Sequence, residues 1–204
     1  MKLSDYIQSE ILPRYDAFDA AHQRSHALAV MDEALRLATL YDVEREVVLA
    51  AAAFHDLGLA HGRKEHHIHS ARIIREDGFL KTIFTPEQID IIADAAEDHR
   101  ASATHPPRTI YGRIIAEADR QLDAEVVMRR TVEFGLEHYP ELSREGHYER
   151  FCAHLHEKYG RTGYLRLWLP ESSSSATALE ALRCVIDNPA LLRQNFDRLF
   201  DQRA

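Results

Sequence analysis

Long apolar runs are missing from this chain. The longest, Val47 to Phe54, is far too short to span a bilayer, and the opening MKLSDYIQSE carries no apolar h-region. No membrane association is therefore expected. Cysteine is scarce: Cys152 and Cys184 form no CxxC pattern, which points to a reducing cytoplasm rather than a disulfide scaffold. Basic charge is also short, with 25 Lys+Arg against 33 Asp+Glu and a formal charge of −8. A broad grip on nucleic-acid backbone needs a basic stripe, so no nucleic-acid partner is expected. A local cationic pocket for a small phosphate is compatible with that charge. Glycines are few, 8 in all, and the rest of the composition is ordinary for a globular protein, at 45% hydrophobic and 28% charged. The 204 residues suit one domain, or a core with an appended subdomain. What stands in excess is histidine, 13 in an acidic chain. Such an excess serves metal binding, proton transfer or nothing, and position must decide.

Apolar residues recur at helical spacing nearly throughout, with no run of strand-like alternation, so the expected class is all-α. A short helix over Leu3 to Ile11 is expected to stop before Pro13. A second, from about Ala20 to Tyr41, sets Val30, Ala34, Leu37 and Tyr41 on one face. A third covers Glu44 to Asp56, its alanines Ala50 to Ala53 suggesting close packing, and Gly58 ends it. Gly58 and Gly62 bracket a turn before a helix over Lys64 to Glu76. Thr85-Pro86-Glu87-Gln88 is a capping box opening a helix that reaches His99. After the loop with Pro106 and Pro107 comes a helical stretch from Thr109 to about Glu137, with a break near Asp119. Further helices are expected at Ser143 to Tyr159, Leu165 to Leu169, Thr177 to Ile186 and after Asn188-Pro189. The serine tract, Ser172 to Ser175, reads as a surface loop or cap.

His55-Asp56 alone is weak evidence for chemistry, since about one such dipeptide is expected by chance in a chain this rich in His and Asp. A capped helix end with a satisfied histidine explains it equally well. Its context is more telling. It sits at the polar end of the apolar helix VVLAAAAF, where unpartnered imidazole and carboxylate would be costly. His26 shares the inward stripe of Val30, Ala34 and Leu37, and Asp119 follows the apolar run Ile114, Ile115, Ala116. His66 begins a helix presenting Ser70, Ile73 and Ile74, and His99 ends another behind Ile91 and Ile92. Taken singly, each is more often a core group than a ligand. Together, several helices deliver His or Asp at an end or an inner face, a donor set that suits Mn, Fe, Co, Ni or Zn better than Ca.

The ordered set H…HD…D resembles the HD superfamily of metal-dependent phosphohydrolases. Residues 20–125 carry the likeness: His26 followed by Val30, then AAAAFHDLG, HHIHSARII, EDHR and IIAEADRQLD. The resemblance implies an HD-type helical bundle and metal ligands at His26, His55, Asp56 and Asp119. His66 and His99 match the intermediate histidines of a subset of the family. Members hydrolyse nucleotides, cyclic dinucleotides and other phosphoesters, and a minority binds two irons and performs oxidation. The GYP signature of the cyclic-dinucleotide branch is absent.

The expected organisation is a single helical domain over residues 1–204, with an HD core at 20–125 and a helical cover at 126–204, where Leu165, Trp168, Leu169, Leu179, Leu182, Ile186, Leu191 and Leu192 offer enough apolar surface to pack on that core. The expected activity is hydrolysis of a small phosphoester, a nucleotide or related phosphomonoester. A di-iron oxygenase and a non-enzymatic metal-bearing binding module are the alternatives. The cofactor is one divalent ion (Mn, Fe, Co, Ni, Zn or Mg), with a second ion on His66, His99 and a bridging Asp56 as the alternative. In the one-ion reading His66, then His99, is the candidate acid for the leaving group. Lys64, Arg100 and Arg108 are candidates for gripping phosphate, against the blander reading of solvated surface charge. His22, one turn before His26, could replace or orient it. His154 and His156 read as structural, and Arg161 as a surface turn with a lesser claim to touch substrate.

Overall fold

The computed structural model describes residues 1–19, 22–103, 105–120, 122–169 and 174–203. Among them are eleven α-helices and no strand. In chain order these are α1 (Leu3–Tyr6), α2 (Arg24–Ala38), α3 (Arg45–Phe54), α4 (His66–Glu76), α5 (Leu80–Ile83), α6 (Pro86–Asp98), α7 (Ile110–Ala118), α8 (Ala124–His138), α9 (Arg144–Tyr159), α10 (Ser174–Ile186) and α11 (Pro189–Asp201). None is long and apolar enough to cross a membrane. The chain divides into two compact units, Met1–Arg120 and Gln121–Ala204.

The first unit is built around α3. Val47, Val48 and every residue from Ala50 to Phe54 are buried, as a helix apolar on nearly all sides must be. Its alanines let α2, α6 and α7 close in around it, and α4 packs against α6. The amphipathic helices meet this centre with Ala27, Val30, Ala34 and Leu37 of α2, Ile89, Ile92, Ala93 and Ala96 of α6, and Ile114 and Ile115 of α7. The expected capping box opens α6: Thr85 Oγ1 accepts from Gln88 N at 3.3 Å, and Gln88 Oε1 accepts from Thr85 N at 2.9 Å.

The N-terminal helix does not stop before Pro13. It continues from α1 through a π-turn over Ile7–Ile11 into a 3-10 segment over Leu12–Ala17. Pro13 lies in the first turn of that segment, where its missing N–H breaks no helical hydrogen bond. The expected start of the second helix at Ala20 lies outside the described residues. The expected stretch from Thr109 to Glu137 is two helices, α7 and α8, and the boundary between the units falls between them.

In the second unit α8, α9, α10 and α11 pack around Val127, Met128, Val132, Phe151, Leu155, Leu182, Ile186, Phe196 and Leu199. Phe151 and Phe196 have ring centroids 5.3 Å apart. Asn188 and Ser143 cap α11 and α9 through Leu191 N and Gly146 N. The helix expected at Leu165–Leu169 is not there: the segment is irregular. Its backbone turns back on the end of α9 instead, with Tyr164 N and Leu165 N donating to the Glu157 and Lys158 carbonyls, both at 3.0 Å. Of the serine tract, Ser174 and Ser175 open α10, and Ser172 and Ser173 lie outside the described residues.

Candidate metal centre

Helix α3 ends one residue before His55, so His55 and Asp56 project from its terminus into the interior, 0% and 3% exposed. From α2, His26 brings Nε2 to 3.2 Å from Asp119 Oδ1 and 3.6 Å from Asp56 Oδ2. His55 Nε2 stands 3.2 Å from Asp56 Oδ2 and 3.8 Å from Asp119 Oδ1, which follows the end of α7. The other oxygen of Asp56 faces a second pair. His66 Nε2, at the start of α4, and His99 Nε2, at the end of α6, are each 3.4 Å from Asp56 Oδ1 and 3.2 Å from each other. Two triads of ligand atoms therefore share one carboxylate: His26, His55 and Asp56, and Asp56, His66 and His99. Atoms bound to one ion at about 2.1 Å stand about 3.0–3.4 Å apart in octahedral or tetrahedral geometry, and both triads lie close to that spacing.

Hydrogen bonding at the far side of each ring decides which nitrogen faces inward. Nδ1 of His55 donates to the Ala52 carbonyl at 2.8 Å, Nδ1 of His66 to the Arg63 carbonyl at 2.7 Å, and Nδ1 of His99 to the Ala96 carbonyl. Each bond places the proton on Nδ1 and leaves the Nε2 lone pair for the centre. Nε2 of His26 and of His55 are buried yet make no hydrogen bond, although carboxylate oxygens stand within 3.8 Å. Buried lone pairs converging on a common point without bonding one another are what a metal ion satisfies. The donor set fits a divalent transition ion.

Electrostatics agree with that fit. Burial opposes charge on His26, but the carboxylates of Asp119 and Asp56 outweigh it and lift its pKa to about 9 in the metal-free site. The same imidazoles hold Asp56 and Asp119 well below the ordinary carboxylate range, against the effect of burial. His66 goes the other way, down to about 4, through burial and the neighbouring His99. For His99 burial is overcome by Asp56, and its pKa rises.

A model of the HD domain family matches residues 24–122, a span that takes in all six of these residues. Residues 24–122 are thus identified as an HD domain. No curated protein and no solved structure gives a significant match. His22, two residues before the matched span, lies outside both triads. Its Nδ1 is paired with Asp19 Oδ1 at 2.7 Å, and its ring meets the His26 ring edge-on at 5.8 Å.

The three basic candidates fare differently. Lys64 is exposed, and its carbonyl accepts from Arg100 Nη1 at 2.8 Å. Arg100 follows His99 and lines an open pocket with His67, Ile68, Glu97, Ser102, Ala103 and His105. Arg108 is already engaged. Its Nε and Nη2 donate to Asp98, at 3.0 and 2.8 Å, and its backbone N donates to the same carboxylate at 2.7 Å. Spacing along the chain gave no sign of this pair, because an aspartate one residue before His99 looks like surface charge until the loop returns over it. The Asp98 side chain is 1% exposed, so removing its partner strands a buried charge. Arg108→Ala is expected to cost about 2–3 kcal/mol, and Arg108→Lys much of that, since an ammonium cannot reproduce the fork. Urea unfolding of the metal-free protein measures both. Arg161, in the second unit, is likewise occupied, clamped between Glu180 and Asp187 at 2.9 and 2.8 Å.

Proposed function

We propose that this protein is a metal-dependent phosphohydrolase that acts on a small phosphoester, a nucleotide or related phosphomonoester, with two divalent ions sharing Asp56. The observation that carries the reading is the pair of ligand triads on opposite oxygens of that one carboxylate. His26, His55, Asp56 and Asp119 would hold one ion, and Asp56, His66 and His99 the other. The expectation was one ion; the approach of His66 Nε2 to 3.4 Å from Asp56 Oδ1 supports a second. Ions in such a pair acidify a bound water and neutralise charge on the phosphoryl oxygens.

The chain's own groups do the rest. With its pKa pushed to about 4, His66 is unprotonated at neutral pH, which suits a ligand and not the acid for the leaving group. Arg100, next in sequence to His99, lines the open pocket with His67 and His105, and its guanidinium would suit a phosphate oxygen there. Arg108, held by Asp98, serves the fold of the loop rather than the substrate.

Elemental analysis followed by a phosphoester screen tests the reading. Two ions per chain and phosphate release are expected. In Asp119→Ala the ion held by His26 and His55 is expected to be lost while far-ultraviolet circular dichroism stays unchanged, with activity at least about a hundredfold lower. Full occupancy in a folded Asp119→Ala protein would remove Asp119 from the ligand set. The same two triads also suit a di-iron oxygenase. Two irons with oxygen consumption and no phosphate release would decide for that chemistry.

A further inference from the structure

The end of α3 is made by side chains. In a continuing helix the carbonyls of Ala52 and Ala53 would accept from the next turn of backbone. Here Ala52 O accepts from the ring of His55, and Ala53 O accepts from the hydroxyl of Tyr15 at 2.9 Å. The chain leaves the helix at this point. Asp56 takes φ −107° and ψ 3°, and its N–H donates to the same Tyr15 hydroxyl oxygen at 3.4 Å. One hydroxyl thus bonds the last turn of α3 on one side and the backbone of Asp56 on the other.

Tyr15 is fully buried, on the 3-10 segment Leu12–Ala17, and lies outside the residues that the HD family model matches. Its ring stands 6.4 Å from that of His55 and packs edge-on against Phe18 at 5.4 Å. Packing of that kind fixes where the hydroxyl can be. Asp56 has little latitude: each of its oxygens must face a different pair of imidazoles, and a small rotation of its backbone would swing both out of reach.

We propose that Tyr15 is a positioning residue for the metal centre, its hydroxyl setting the backbone of Asp56 so that the carboxylate presents one oxygen to each triad. This rests on the reading that Asp56 is shared by two ions. Tyr15→Phe keeps the ring and its packing and removes the hydroxyl alone. Tyr6→Phe is the control: it lies in the same N-terminal segment and loses one hydroxyl hydrogen bond, the 2.7 Å contact to Asp77 away from Asp56, where Tyr15→Phe loses two.

The probe is Mn(II), followed by equilibrium dialysis and by electron paramagnetic resonance, where two ions joined by a carboxylate show exchange coupling. Tyr15→Phe is expected to weaken Mn(II) binding roughly tenfold or more and to alter the coupled spectrum, while Tyr6→Phe binds as the wild type does. Thermal melts of the metal-free proteins report any common loss of stability. If Tyr15→Phe melts lower yet binds two Mn(II) with wild-type affinity and spectrum, Tyr15 is a packing residue and the proposal is overturned. A single uncoupled Mn(II) in the wild type would defeat the shared-Asp56 reading by itself. The role of Tyr15 would then be decided by whether its loss weakens that one ion.

Discussion

Asp56→Ala is expected to empty both metal positions at once and to leave less than a thousandth of wild-type activity, about 4 kcal/mol of lost transition-state stabilisation. Among the described residues no other side chain belongs to both triads. Its Oδ2 stands at 3.2 and 3.6 Å from His55 and His26, and its Oδ1 at 3.4 Å from both His66 and His99. Asp119 serves only the first pair and is more exposed, so its loss should remove one ion where the loss of Asp56 removes two. Asp56→Asn separates charge from geometry: it keeps two polar atoms but presents a neutral oxygen to one triad and an amide nitrogen, which is no ligand, to the other. One weakened ion is expected there. Metal content per chain measures all three variants, and two retained ions in Asp56→Ala would be incompatible with a shared carboxylate.

The helical pattern and the residues of the centre were legible because both are written in local chemistry. The stripe of His26 with Val30, Ala34 and Leu37 faces inward as its spacing requires, and Thr85 and Gln88 make the reciprocal bonds their types predict. His55, Asp56 and Asp119 each stand at the polar end of an apolar helix, where an unpartnered group would be costly. What was illegible depends on groups far apart in the chain. Tyr15 reaches its partners 38 and 41 residues away, and no spacing rule joins them. Arg108 looked available for phosphate because nothing in its neighbourhood announces that Asp98 is buried beneath it. At Leu165–Leu169 the apolar spacing was right about burial and wrong about conformation. Leu165 and Leu169 are both buried, but hydrogen bonds back to α9 take the backbone out of any helix.

Gly58 shows the same limit, and its replacement is the second large effect expected. A glycine after an apolar helix reads as a helix stop, yet α3 ends at Phe54, and Gly58 lies within the 3-10 turn Leu57–His61. Chain reversal there draws on Gly62, whose φ of 103° favours glycine. Gly58 is needed for a different reason. The first turn of α4 lies directly on it: a Cβ at this position would stand 1.9 Å from His66 O, 2.6 Å from Ser70 N and 2.8 Å from His66 C. All three are backbone atoms, so no side-chain rotation relieves the contact. In addition, Gly58 N donates to Ser70 Oγ at 2.9 Å inside the interface. Gly58→Ala must therefore push the start of α4 away by on the order of 1 Å or more, at an overpacking cost of roughly 2–4 kcal/mol. His66 begins that helix, and a shift of this size takes its Nε2 out of bonding range of an ion held by Asp56 and His99. His26 comes from α2, and His55 and Asp56 from the end of α3, with Asp119 beside them at the end of α7, so the first triad takes no ligand from α4. The expected Gly58→Ala protein is less stable to urea, binds one ion instead of two, and loses activity to about the extent of His66→Ala. A variant that unfolds outright still leaves a test in His66→Ala, which removes the same ligand without moving the helix. If both variants kept two ions, His66 would not be a ligand, and the close seat of α4 on Gly58 would serve packing alone.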